Sequence, residues 1–284
     1  MTSVKVPVNG REGDSSPEEG MDPAVDPGLE SAAKGRAKEG MAGLAKGLAI
    51  IEAFGASTTR MTVADAARFA DLSRPAARRC LLTLVELGYL AHDGKFFMPL
   101  PRMLRLGSAY LSTSSLPQIA QPLLVDARDE LQESISLAVL DDGYAVFVAR
   151  AEAVRIVSTG VKLGGRLPAY CSATGRVLLS DLTDDEIRRH LAGVPMKRLT
   201  ARTLADADAV VAAIGRARAD GYSLSNEELE VGMCAMAVPV RGRGGMIEAA
   251  VSVSVLSGRV SIETLEQSFL PVLRRVAQRI ERAL

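Results

Sequence analysis

At 284 residues the chain is long enough to bury more than one hydrophobic core, so two domains are the natural expectation. Apolar residues make up 48% of it, but none of its apolar runs approaches the roughly 18 residues a membrane span needs, and the polar N-terminus has no apolar signal core, so the expected location is the cytoplasm. The formal net charge is zero, which alone argues against nucleic acid, yet the distribution is uneven: residues 1–40 carry −3, residues 41–100 carry +2 and the remainder +1.

Residues 1–40 are rich in Gly, Pro and charge and contain no aromatic residue. They cannot bury enough surface to fold alone, so a disordered tail is expected. Residues 41–100 read as one small module. Met41 to Phe54 has the spacing of an amphipathic helix. Thr62 to Leu90, TVADAARFADLSRPAARRCLLTLVELGYL, reads as two short helices joined by a tight turn at Leu72-Ser73. Ser73 is expected to cap the second helix by accepting a backbone N–H, and Pro75 falls in its first turn, where a missing N–H costs little. At about 100° per residue Ala76, Ala77, Cys80, Leu84 and Leu87 share one face, and Arg74, Pro75, Arg78 and Arg79 the opposite one. A packed back with a basic front near the N-terminus suits a DNA major groove.

Gly88 ends that helix. Tyr89-Leu90-Ala91 and Phe96-Phe97-Met98 predict two short strands around His92-Asp93-Gly94-Lys95, the winged form of a helix-turn-helix. Lys95 at the tip is placed to meet a phosphate, and Thr62, opening the first helix, completes the candidate DNA-facing set. A solvated surface helix would show the same arginines, but not the wing behind it and the amphipathic helix before it. The basic excess is small, so useful DNA affinity calls for a dimer that doubles the phosphate contacts.

Residues 101–115 predict a linker helix, with Met103, Leu104, Leu106 and Leu111 at helical spacing and Arg102 and Arg105 between them. Residues 116–284 mix strands and helices. Ile119 to Glu133 predicts an amphipathic helix. Ser136 to Leu140 and Tyr144 to Arg150 predict a hairpin around Asp141-Asp142-Gly143. Arg155 to Thr159 predicts a strand. Cys171 to Leu182, Asp184 to Leu191 and Asp206 to Ala219 predict helices. Met233 to Val240 and Ile247 to Leu256 predict strands around a glycine-rich turn, and Ile262 to Ala283 a long terminal helix. Antiparallel strands with added helices make an α+β domain.

The stretch Gly164 to Arg176, GGRLPAYCSATGR, runs from a loop into a helix start of small residues. Exposed N–H groups and the helix dipole there favour an anion, with Ser172 and Thr174 adding hydroxyls. The plainer account is that Ser172 caps the helix while Ala173 and Gly175 permit close packing. Ser252 and Ser254 alternate with Val251, Val253 and Val255, so the serines share one strand face. That face is either ligand-facing or solvated. Asn226 opens the loop that runs to Gly232.

Four stretches carry a resemblance to the IclR family of bacterial transcription regulators: GLAIIEAF (Gly47 to Phe54), LSRPAARRCLLTLVELGYL (Leu72 to Leu90), RLPAYCSATGRVLL (Arg166 to Leu179) and GYSLSNEELEVGMCAMAVPV (Gly221 to Val240). They lie in order, and the resemblance covers roughly residues 41–284. TLVELGYL and LPAYCSATGRVLL are most similar to the branch that regulates catabolism of aromatic acids such as protocatechuate and 4-hydroxybenzoate. The resemblance implies a GAF-like sensing fold, a linker helix that supports dimer contacts, and an effector pocket lined by Tyr170, Ser172, Ala173, Thr174, Gly175, Asn226, Cys234, Ser252 and Ser254. The chain departs from the pattern twice. The family often has Asp at Asn226, and the aromatic-acid branch commonly has Arg at Cys234. Loss of that Arg removes a bidentate carboxylate clamp, so either Arg166 or Arg176 supplies the charge or the ligand is less acidic.

The leading expectation is a ligand-responsive regulator that binds double-stranded operator DNA as a homodimer or tetramer and responds to a small organic acid, with no cofactor and no metal. A DNA-binding architectural protein without a ligand and an enzyme fused to a DNA-binding module are the alternatives. Cys80, Cys171 and Cys234 are too widely separated for a disulfide framework or a CxxC zinc pattern. His92 and His190 are not placed by sequence as bases, and no G-x-S-x-G, H-E-x-x-H or P-loop motif is present. No catalytic residue is therefore expected.

Overall fold

The computed structural model describes residues 41–55, 58–154 and 161–284. The expected disordered tail (1–40) and the expected strand Arg155 to Thr159 lie outside the described residues.

The N-terminal region is built from α1 (Ala42–Glu52), α2 (Val63–Phe69) and α3 (Arg74–Glu86), followed by β1 (Leu90–His92) and β2 (Phe97–Pro99). Ile50, Ala66, Ala77, Leu81, Leu84, Leu90 and Phe97 meet in one core. The buried stripe of α3 is Ala76, Ala77, Leu81 and Leu84. Cys80 is only half-buried and Leu87, at 50% exposure, lies outside the core. The helical period allowed either set; packing against α1 and α2 selects Leu81. Ser73 sits at the N-cap of α3, but its side chain makes no capping bond; it is exposed, so water can serve the first-turn N–H groups. Gly88 takes φ +75°, which turns the chain from α3 into β1. β1 and β2 pair antiparallel, each one residue later than the apolar pattern suggested.

The expected linker helix is divided. A 3₁₀ turn (Pro101–Met103) leads into α4 (Leu104–Thr113), none of whose residues is buried. Ser114 is extended (ψ 121°), and α5 (Ser115–Leu131) starts there, earlier than expected.

The C-terminal region centres on an antiparallel sheet of six strands in the order β5-β4-β3-β8-β7-β6: β3 (Ile135–Asp141), β4 (Tyr144–Ala151), β5 (Arg166–Pro168), β6 (Ser223–Asn226), β7 (Met233–Arg241) and β8 (Ile247–Leu256). The β3–β4 turn puts Asp142 at φ 47° and Gly143 at φ 82°, the left-handed pair that a two-residue hairpin favours. The edge strands β5 and β6 were not evident in the apolar pattern: each is short, and β6 is polar at three of its four positions.

The sheet has two differently covered faces. On one, Ile135, Leu137, Met236, Val238, Val251, Val253 and Val255 pack against α5 and α10. Here α9 (Ile262–Thr264) runs through a π-helical turn (Leu265–Phe269) into α10 (Leu270–Ala283), so the expected terminal helix exists but is underwound at its start. On the other face, Ala138, Ala145, Phe147, Ala237 and Ala250 pack against the buried helix α6 (Ala173–Leu179). Helices α7 (Asp184–Ala192) and α8 (Ala207–Asp220) share a further core with Tyr170, Cys171 and Leu179. α6 is shorter than expected, because a 3₁₀ turn (Ala169–Cys171) precedes it and Ser172 caps it.

Candidate functional site

On α3 the side chains of Arg74, Pro75, Arg78 and Arg79 are exposed, as the periodicity required, because Ala76, Ala77, Leu81 and Leu84 turn the opposite side inward. None of these arginines forms an ion pair among the described residues. Thr62 is placed differently. Its hydroxyl donates to Asp65 Oδ2 at 2.7 Å and accepts the Asp65 N–H at 3.3 Å, a reciprocal capping box that occupies it within α2. The N–H and hydroxyl of Thr62 hold the Asp65 carboxyl below its ordinary value.

At the wing, the Asp93 carboxylate accepts the N–H groups of Phe96 (2.7 Å) and Lys95 (2.9 Å), which shapes the turn and lowers the Asp93 pKa. Lys95 is exposed and its Nζ lies 5.0 Å from the centre of the Phe96 ring. Sequence reasoning missed Arg60, whose guanidinium lies 4.5 Å from the same ring. Two cations, Arg60 and Lys95, therefore share the Phe96 ring at the wing. The isolated Arg60 had no periodic signal; only the wing fold brings it to Lys95.

In the C-terminal region several expected pocket residues turn out to serve the fold. The Ser172 hydroxyl donates to the Pro168 carbonyl (2.9 Å) and accepts the Gly175 N–H (3.1 Å). The Tyr170 hydroxyl donates to the Lys197 carbonyl (2.8 Å) and accepts the Lys197 N–H (3.0 Å). A Cβ on Gly175 would stand 2.2 Å from Ala169 Cα, so this glycine is required where α6 crosses the 3₁₀ turn. Arg176 is buried against Glu228 and also donates to the Tyr170 carbonyl. Arg166 is exposed, near Asp141 and over the Tyr144 ring. Arg176 is therefore committed to Glu228, whereas Arg166 stands at the exposed rim.

The register separates Cys234 from the serines. Cys234 pairs with Val255, so both side chains point to the α5–α10 face. Ser254 pairs with Ala235 and Ser252 with Ala237, on the α6 face. Asn226 is exposed at the sheet edge, where its Oδ1 accepts from Arg202 (2.9 Å) and from the Cys234 thiol (3.4 Å). The structure thus groups Ala173, Thr174, Ser252 and Ser254 on one side and leaves Asn226 and Cys234 on the other. Burial raises the thiol pKa of Cys234, and that of Cys171 to about 12, so neither is a thiolate near neutrality.

What the α6 face does hold is a lane of buried hydroxyls. Ser136 pairs with Ser252, Ser252 with Ala237 and Ala237 with Ser223, and one step along Ser254, Ala235 and Ser225 continue it. Ser136, Ser252, Ser223 and Ser225 are all buried, as is Thr174 on α6. At the β4 end of this lane stands Arg150, paired with Ser136 and donating to its hydroxyl at 2.9 Å. Its side chain is only 8% exposed, and burial lowers its pKa against the pull of Glu152. Among the described residues no group of three or more His, Cys, Asp or Glu side chains could hold a metal ion, and no helix is long and apolar enough to cross a membrane.

Comparison with known proteins agrees with this layout. Residues 43–94 match the IclR helix-turn-helix domain and residues 108–282 the family described as "Bacterial transcriptional regulator IclR C-terminal". The chain is 41% identical to the Pca regulon regulatory protein of Pseudomonas putida, over 82% of this chain and 80% of that protein. It is 38% identical to the p-hydroxybenzoate hydroxylase transcriptional activator of Acinetobacter baylyi, over 86% of this chain and 92% of that protein. Among solved structures it resembles the inducer-binding domain of a double mutant of the transcription factor PobR from Acinetobacter in complex with 3-hydroxybenzoic acid, at 34% identity and a TM-score of 0.58, over 60% of this chain and all of that one. With a helix-turn-helix whose arginines face outward and a C-terminal sheet carrying a buried polar lane, the chain belongs to the IclR family of bacterial transcription regulators.

Proposed function

We propose that this regulator controls the catabolism of a small aromatic carboxylic acid, binds that acid in its C-terminal region, and acts in the cytoplasm as a homodimer or tetramer on double-stranded operator DNA. The observation that carries the reading is the match of residues 108–282 to the IclR C-terminal family, whose sheet here carries the buried hydroxyls of Ser136, Ser252, Ser223 and Ser225 on one face. The relatives named for Pca and p-hydroxybenzoate genes and the hydroxybenzoate-bound structure point to the same ligand class.

In this reading Arg74, Arg78 and Arg79 enter the major groove with Ser73 and Pro75 at the helix start, and Lys95 meets the backbone. Effector binding biases the spacing of two winged modules, which requires different ligand affinity in the two arrangements. Self-association is supported by apolar faces open to a second copy: Met41, Leu44 and Leu48 at α1, and Leu104, Leu106 and Tyr110 on α4, are each at least 44% exposed. The relatives are regulators, and no enzymatic step is proposed.

The test is calorimetric titration of the full chain with 3- and 4-hydroxybenzoate, followed by operator-binding assays with and without the acid. Saturable binding that shifts operator affinity is expected. Unchanged operator affinity across a wide panel of aromatic and aliphatic acids would leave the architectural alternative standing.

A further inference from the structure

We propose that Arg102 and Gln118 are positioning residues that clasp the two ends of the linker helix α4, and so fix the direction in which it leaves the recognition helix α3 and enters α5. The consequence is a set separation between the two winged modules of a dimer, and with it a preference for one spacing of operator half-sites. This rests on the dimeric DNA-binding reading above and names the residues that hold its geometry.

The start of α4 is tied to the end of α3. The last turn of α3 closes as a Schellman motif, in which the Gly88 N–H donates to the Val85 carbonyl (2.9 Å) and the Tyr89 N–H to the Leu84 carbonyl (2.9 Å). The Leu87 carbonyl accepts instead from Arg102 Nη1, at 2.7 Å and 15 residues further along the chain. A cation there also meets the negative end of the helix dipole. The Arg102 guanidinium stands 5.4 Å from the centre of the Tyr89 ring. A Cβ on Gly88 would lie 3.4 Å from Arg102 Nη1, so the side chain runs close against the helix end. Backbone and core close the same junction: the Leu100 N–H donates to the Tyr89 carbonyl (2.8 Å), and Met103 packs on the N-terminal core.

The far end of α4 has a matching clasp. Gln118 of α5 reaches back across the extended Ser114, and its Nε2 donates to the Leu111 and Ser112 carbonyls at 3.2 Å each. Both carbonyls belong to the last turn of α4, where the helix itself supplies no N–H partner. Between the two clasps no residue of α4 is buried, so little packing along its length sets its direction.

Arg102 is a basic residue of this region that is not placed to touch DNA. It bonds the C-terminal end of α3, about 20 Å of helix from Arg74 at the start. Hydrogen bonds of this kind contribute modestly to stability. Losing one leaves the module folded and loosens the angle at which α4 departs.

For the experiment, duplexes with two half-sites are selected by the full wild-type chain from a random-sequence pool. They are remade with five base pairs inserted between the half-sites, about half a helical turn, and with one half-site alone. Affinities and thermal midpoints are measured for the wild type, Arg102→Met and Gln118→Leu. Wild type should lose at least tenfold in affinity on insertion. Each variant should lose less than threefold, and each should bind the single half-site within twofold of wild type. Methionine keeps a stem over Tyr89 and removes the donors. Gln118 is exposed, so its variant covers the case where Arg102→Met does not fold. A folded variant that keeps the wild-type dependence on spacing overturns the assignment. So does one whose single-half-site affinity falls while that dependence stays, the signature of a direct DNA contact or a purely structural role. Wild-type tolerance of the insertion overturns it too, with the DNA-binding reading intact. If the wild-type chain selects no paired half-sites, the dimeric reading fails and this assignment with it.

Discussion

Arg176 of α6 and Glu228, in the segment between β6 and β7, are joined as a buried, two-pronged ion pair, one prong of which is 2.8 Å long. The pair ties the helix at the heart of the C-terminal region to a segment that Thr200 and Thr203 also hold, through their hydroxyls, at the carbonyls of Glu227 and Glu228. Removing one partner strands the other charge inside the protein. Glu228→Gln should therefore cost about 3–5 kcal/mol in denaturant unfolding, and Arg176→Met with Glu228→Leu should cost less than the sum of the single changes. Additive losses would show that the two charges are not coupled.

Thr62 is a cap before it is anything else. Thr62→Ala should lower the stability of the winged region by about 0.5–2 kcal/mol, whereas Thr62→Ser should nearly preserve it. The Asp65 carboxyl has a depressed pKa in the fold, so its contribution is present above its ordinary value of 3.8 and is lost as pH falls through the folded value. Thermal melts of wild type and Thr62→Ala should converge as the pH drops below about 4.

The DNA face separates into base-reading and backbone-contacting residues. Arg78→Ala should weaken specific operator binding by about 1–3 kcal/mol if its fork meets a base. Lys95→Ala should weaken all sequences alike and reduce the slope of log K against log salt by about 0.9, the value for one lost phosphate contact. Arg60→Ala, which removes the other cation on the Phe96 ring, should act like the Lys95 change. Gel-shift titrations over a salt series distinguish these outcomes.

Gly175 carries a packing constraint. Ala169 Cα would lie 2.2 Å from an added Cβ, and backbone cannot move aside cheaply. Gly175→Ala should destabilise the protein by about 1–3 kcal/mol or more, visible as a lowered thermal midpoint. By contrast, Thr174→Val and Ser252→Ala each remove one hydroxyl at the proposed effector site and should weaken hydroxybenzoate binding by about 0.5–3 kcal/mol.

The thiols supply a pH test. Cys171 has its pKa raised to about 12 by burial. A protonated thiol is favoured by the fold, so its contribution is full below the ordinary value of 9.0 and is lost as pH rises through the folded value. Native-state thiol titration at neutral pH should modify half-buried Cys80 and spare Cys171 and Cys234 until the protein unfolds.

Local chemistry alone determined much of this protein. The helical period of α3, Pro75 in its first turn, Gly88 after it and the Asp142-Gly143 turn are short-range signals, and each element formed within a few residues of where they placed it. Alternation in β8 likewise put Ser252 and Ser254 together, because successive side chains on a strand point to opposite faces whatever surrounds them. Tertiary structure decided what those faces meet. The pairing of β8 with β3 and of β3 with β4 carries Arg150 into the serine row, and the pairing of β7 with β8 turns Cys234 away from it. Neither follows from spacing, since a one-residue change of register would exchange the two faces. The same holds at α6, where Ser172 and Gly175 suggested a ligand cradle. The close crossing of the Ala169–Cys171 turn uses the Ser172 hydroxyl and the bare Cα of Gly175 for the fold itself, and it is long-range strand pairing that leaves the buried cation of Arg150 beside the serines.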